Sequence, residues 1–93
     1  MTKDEKINTV KEDLIKYGAK KISLFGSYAQ NKETPASDMD IIVEFSSVKT
    51  LLELAAIESS ISEKTGTKID LLTPKSISPY IMKKIKSDIK VIM

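Results

Sequence analysis

Six residues in the middle of the chain, Asp40-Ile41-Ile42-Val43-Glu44-Phe45, restrict its fold more than any other stretch. Three β-branched side chains in succession put apolar groups on both faces of a strand, which suits only a central position in a sheet. The strand is entered through Ser37-Asp38-Met39-Asp40. Residues i and i+2 of a strand point the same way, so Asp38 and Asp40 share a face at the mouth of the most apolar segment. Neighbouring carboxylates repel unless a cation neutralises them, and oxygen ligands of this kind hold hard cations. An isolated acidic pair is usually surface decoration. This one leads into a buried strand, which sets it apart.

The segment before it supplies the complement. Lys21-Ile22-Ser23-Leu24-Phe25 reads as a short strand ending at Gly26-Ser27, with a short helix expected from Ser27 to about Asn31. A Gly-Ser turn between a strand and a helix presents unpaired backbone N–H groups and a hydroxyl, the means of holding phosphate. Downstream, Thr67 to Leu72 reads as a third strand interrupted by Asp70. Strands disfavour aspartate, and an acid among apolar neighbours needs a partner. If the third strand lies beside the second, Asp70 meets Asp38 and Asp40 across the ladder. Three carboxylates could then hold two metal ions, one activating an attacking hydroxyl and the other steadying a pyrophosphate leaving group. A phosphate cradle beside metal-binding carboxylates is the equipment of phosphoryl or nucleotidyl transfer.

Composition removes most competing chemistries. The chain has neither cysteine nor histidine, and its fifteen basic residues are all lysine. Disulfides, thiolate zinc sites, Ser-His triads and imidazole catalysis are excluded. A bound metal must be held by oxygen, which favours Mg²⁺, with Mn²⁺ as the alternative. Without arginine, and with a net charge of +2, sequence-specific nucleic-acid recognition is not expected. No apolar run approaches the ~20 residues of a membrane span and the N-terminus lacks the apolar core of a signal peptide, so a cytoplasmic protein with no membrane partner is expected.

The remaining elements follow from periodicity. Asp4 to Tyr17 reads as a helix with Ile7, Val10 and Leu14 on its inner face, Thr2 or Asp4 as cap and Gly18 past its end. Thr50 to Thr65 reads as a second helix with Leu51, Leu54, Ile57 and Ile61 inward, stopped by Gly66. Ser78-Pro79 starts a third helix through Lys86, and Lys90 to Met93 is either an edge strand or a tail. Tyr28 is expected to pack at the turn and Tyr80 to anchor the last helix, with Lys83, Lys84, Lys86 and Lys90 on a solvated face. The 93 residues suit one α/β domain, a small mixed β-sheet with helices packed on it.

In order and spacing, Gly26-Ser27, Ser37-Asp38-Met39-Asp40 and the later Asp70 resemble the nucleotidyltransferase superfamily that includes DNA polymerase β. The short length and the run from Phe25 to Phe45 resemble its minimal nucleotidyltransferase branch. The resemblance implies a single polymerase β-like nucleotidyltransferase core over residues 1–93, binding Mg²⁺ and a nucleoside triphosphate, usually ATP. By position, Gly26 and Ser27 would bind the triphosphate, Asp38 and Asp40 the metal, and Asp70 would complete the catalytic triad. It further implies an antitoxin that transfers AMP to a tyrosine of a partner HEPN-domain toxin. One departure stands out: where the family often has Ala-Arg-Gly, this chain has Ala29-Gln30-Asn31. The lost arginine weakens the expectation of activity, with Lys32 available as a point charge but not as a fork. Two alternatives therefore stay open, a non-catalytic antitoxin acting by occlusion and an enzyme with a small-molecule acceptor. Oligomeric state is also left open, whether homo- or hetero-oligomer.

Overall fold

The computed structural model describes residues 1–93. Helix α1 (Lys3–Lys16) is followed by strands β1 (Ala19–Phe25) and β2 (Met39–Phe45), helix α2 (Leu51–Thr65) and strand β3 (Ile69–Leu72). Helix α3 (Pro79–Ile85), flanked by two short 3₁₀ turns, leads to the two-residue strand β4 (Lys90–Val91). The sheet order is β3-β2-β1-β4, with β2 parallel to β3 and the other pairs antiparallel. The mixed sheet and the central place of the Ile41-Ile42-Val43 strand are as the residue pattern requires. The third strand is shorter than expected, because Thr67 and Lys68 are spent on the connection from α2. No helix is long and apolar enough to cross a membrane.

Local chemistry sets the boundaries of both long helices. Thr2 and Thr50 each accept a hydrogen bond from the backbone N–H three residues on, while Glu5 and Glu53 reach back to the cap's own N–H. Gly66 ends α2 in the left-handed conformation at φ 66°, which costs glycine nothing. Ser78 caps α3, with Pro79 in its first turn.

The two faces of the sheet differ in kind. Ile22 and Leu24 of β1, Met39, Ile41 and Val43 of β2, and Ile69 and Leu71 of β3 lie under Val10 and Leu14 of α1 and Ile57 and Ile61 of α2. This is the hydrophobic core, and Tyr28 belongs to it as expected. Between the helices, the carboxylate of Asp13 is almost fully buried and meets Lys64 Nζ at 2.7 Å. The opposite face carries Asp40, Ile42 and Glu44 of β2, with Ser23 and Phe25 of β1 and Asp70 and Leu72 of β3 beside them in register.

Three expectations are corrected. The segment after Gly26 is a series of turns, not a helix: the N–H of Gln30 reaches Gly26 O and Ser27 O, and Asn31 at φ 58° ends the sequence of turns. Leu51 does not face the core but is 84% exposed. At 3.6 residues per turn it stands about 80–120° round the helix from Ile57 and Ile61, and about two and three turns ahead of them. Tyr80 does not anchor α3 in the core: it is 68% exposed, and Lys84 Nζ lies over its ring, 4.6 Å from the centroid.

Candidate active site

Strand pairing brings the sequence-predicted acids to one end of the polar face. Asp40 stands opposite Asp70 in the parallel β2–β3 ladder and opposite Phe25 in the antiparallel β1–β2 ladder. Phe25 immediately precedes Gly26, so the Gly-Ser turn emerges beside Asp40. The approach is close. Gly26 has φ 71°, and a Cβ placed on it would come within 2.6 Å of Asp40 Oδ2. Glycine is needed here both for the left-handed backbone and for the missing atom.

Beyond Gly26 the backbone N–H groups of Ser27, Tyr28 and Ala29 make no hydrogen bond to another backbone group. Three consecutive free donors after a strand are the arrangement that accepts phosphate oxygens. The turn is held from outside by α1: Lys3 Nζ donates to Asn31 Oδ1 and to Glu33 Oε1, the latter at 2.8 Å, and lies 6.0 Å from the centre of the Tyr28 ring. Sequence reasoning missed Lys3, since a lysine on the first turn of a helix carries no sign of its partners about 30 residues away. Asn31 explains half of the departure from the Ala-Arg-Gly pattern. Its left-handed backbone is the one asparagine tolerates best after glycine, so the conformation is kept while the guanidinium is lost.

The electrostatics mark an unbalanced site. Asp40 is pushed up to about 6, first by burial, then by the charges of Asp70 and Asp38 and a hydrogen bond with the Asp70 side chain, against a smaller lowering by Lys68. Asp38 lies just outside β2 with its side chain 43% exposed, and Lys68 Nζ is 3.8 Å from its Oδ2. As the side chains stand, no three carboxylates converge on one point. The donor set nevertheless suits a hard divalent cation: it is all oxygen and anionic, and its central member is destabilised by its own charge.

These features, a strand–Gly-Ser turn against an Asp-x-Asp strand with a third acid on the parallel neighbour, define a nucleotidyltransferase core. The sequence profile of the nucleotidyltransferase domain matches residues 5–92. The chain is 40% identical over 86 residues to the Methanocaldococcus jannaschii protein named "Putative protein adenylyltransferase MJ0435", covering 88% of this chain and 92% of that one. It is 29% identical over 74 residues to the protein adenylyltransferase MntA of Thermococcus cleftensis, covering 80% and 75%. Among solved structures, a toxin–antitoxin with AMP-PNP superposes at TM-score 0.78 and 20% identity, over all of this chain and 73% of the other. The complex of a tri-AMPylated Shewanella oneidensis HEPN toxin with MNT antitoxin superposes at 0.80 and 18% identity, over 99% and 72%. This chain belongs to the nucleotidyltransferase domain family and is a nucleotidyltransferase.

Proposed function

We propose that this protein transfers AMP from ATP to a hydroxyl group, a tyrosine, on a HEPN-domain partner and so acts as the antitoxin of a pair. The observation that carries the reading is the contact of the Gly26 turn with Asp40 while Asp70 lies alongside in the ladder. Unpaired backbone donors and the Asp40–Asp70 pair thereby lie side by side at one end of the sheet. The names of the adenylyltransferase relatives and the HEPN complex among the structural neighbours support the choice of reaction and partner. The AMPylated HEPN toxin in one of the neighbouring complexes favours a protein acceptor over a small molecule.

In this reading the N–H groups of Ser27 to Ala29 and the Ser27 hydroxyl hold the β- and γ-phosphates. Asp38 and Asp40 hold Mg²⁺, with Asp70 completing the set. Bound there, Mg²⁺ supplies charge neutralisation along the triphosphate and lowers the barrier to losing pyrophosphate. The acceptor oxygen forms a bond to the α-phosphorus as the bond from that phosphorus to the bridging oxygen breaks, and pyrophosphate departs. Asp70 orients the acceptor and takes its proton. The products are the AMP ester of the partner and pyrophosphate.

The experiment is label transfer from [α-³²P]ATP to the HEPN-domain protein of the same genome. Label is expected on the partner with the parent chain. Asp38→Asn combined with Asp40→Asn is expected to abolish it, and transfer persisting in that variant would refute the reading. Gln30 in place of the family's arginine favours a second reading, occlusion without turnover. That reading predicts full neutralisation of the partner by the double variant.

A further inference from the structure

The far end of β2 presents a surface that neither the core nor the catalytic end uses. Val48 is 94% exposed, and Leu51 and Leu52 are each 84% exposed. Scattered apolar residues on a surface are ordinary, but these three fall within five residues, in the β2–α2 connection and the first turn of α2. Val48 also lines a groove of about 360 Å³ whose apolar floor includes Phe45 and Pro74. Three cations, Lys20, Lys49 and Lys75, border the same groove against one acid, Glu44. Lys49 Nζ sits 5.5 Å from the centre of the Phe45 ring, which keeps the cation beside the apolar floor.

The position matters for function. Asp40 and Phe45 are five residues apart on one strand, about 16 Å at the rise of a strand. The groove therefore opens at the end of the sheet away from Asp38 and Asp40. A partner anchored there keeps its anchor clear of the carboxylates and the Gly26 turn, and brings its acceptor hydroxyl to them with another part of its surface.

The charges select the occupant. A second copy meeting this face about a two-fold axis would set lysine against lysine, in a chain already carrying net charge +2. Strand addition on the β3 edge is also closed off. The outward N–H of Ile69 is bonded to Ser62 Oγ at 3.0 Å and that of Leu71 to Glu58 Oε2 at 2.8 Å. What fits is an apolar anchor flanked by carboxylates.

We propose that the groove bordered by Lys20, Lys49 and Lys75, with the adjoining Val48, Leu51 and Leu52, is the docking surface for the partner that receives the nucleotidyl group, which presents apolar side chains flanked by Asp and Glu. This rests on the function proposed above and adds the surface and the chemistry of recognition. Docking and catalysis then occupy opposite ends of one sheet, and substitutions separate them.

The test is calorimetric titration of the full chain with the HEPN-domain protein of the same genome, beside titration with ATP and Mg²⁺. Leu51→Ser with Leu52→Ser, and separately Lys49→Glu, are expected to weaken partner binding about tenfold or more while ATP binding is unchanged. Parent affinity is expected to fall as salt is raised. All three side chains are solvent-facing or flank the groove, and circular dichroism of each variant checks that the fold is intact. Binding of both variants at parent affinity overturns the proposal, and so does failure of the parent to bind. Sedimentation of the isolated chain as a dimer that these substitutions dissociate also overturns it, by giving the surface to a second copy. Failure of the catalytic reading looks different: docking variants lose the complex, while the parent forms it and transfers no label.

Discussion

At the residue scale the site turns on one glycine and one carboxylate. Gly26 is held at φ 71° with Asp40 Oδ2 only 2.6 Å from where its Cβ would lie. Gly26→Ala is expected to cost about 1–2 kcal/mol from the left-handed backbone alone. It also displaces the Asp40 carboxylate, and a shift of about 1 Å in a reacting group lowers rates on the order of 10²-fold. Thermal unfolding and label transfer measure the two effects separately, and activity should fall by far more than stability. Asp40 gives a pH signature in metal-free protein. Its carboxyl is raised from 3.8 to about 6 in the folded chain by burial and by Asp70 and Asp38. Between those values the folded Asp40 binds more protons than it does unfolded, so its contribution to stability is greatest below pH ~4 and falls as pH rises to about 6. Asp40→Asn should remove that fall and leave the metal-free protein about 1 kcal/mol more stable at pH 7, allowing for solvent screening. Urea unfolding at pH 4 and pH 7 reads the difference. A parent protein that gains stability over that interval as Asp40→Asn does not would contradict it.

Asn31 shows how far residue types alone carry. Compared with a family pattern, Gln30-Asn31 is a double loss. In the fold only the arginine is missing, because Asn31 keeps a backbone that glycine would otherwise supply.

At the scale of elements, the helix ends are local and the helix faces are not. Thr2, Thr50 and Ser78 cap the helices they precede, as short-range hydrogen bonding dictates. Thr50→Ala removes the acceptor for the Glu53 N–H and should cost about 1 kcal/mol, read as a lower midpoint in urea with an unchanged slope. The inward face of α2 is different. The apolar pattern included Leu51, yet only Ile57 and Ile61 are buried among its large side chains. Periodicity reports which residues share a face, but not where the neighbouring sheet ends. The segment from Ser27 to Asn31 failed for a related reason. Its composition permits a helical turn, and nothing local shows that Asn31 takes a left-handed backbone and stops it.

At the scale of the molecule, the parallel pairing of β2 with β3 creates the site. It sets Asp70 beside Asp40 while the core residues Ile41 and Leu71 pair on the other face. In the proposed reading, divalent cation binding to this end of the sheet is linked to folding. Mg²⁺ at about ten times its dissociation constant should add about 1.4 kcal/mol, raising the unfolding temperature by about 5–10 °C for a domain of this size. Asp38→Asn with Asp40→Asn should lose the increment, which differential scanning fluorimetry with and without chelator detects. An equal rise in that variant would place the ion elsewhere.

By itself the sequence determined the strand at Ile41-Ile42-Val43, the caps, the glycine turn, the acidic pair and an oxygen-only, histidine-free chemistry. Each of these depends on neighbours a few residues away or on residue types being absent. The tertiary structure alone decided that Asp70 stands beside Asp40, that Gly26 presses on that carboxylate, that Lys3 ties down the turn, and that Leu51 and Leu52 face outward. Those relations join residues 14 to 30 positions apart, or depend on where the sheet ends. They are fixed by strand register and helix packing, and no local pattern of side chains encodes them.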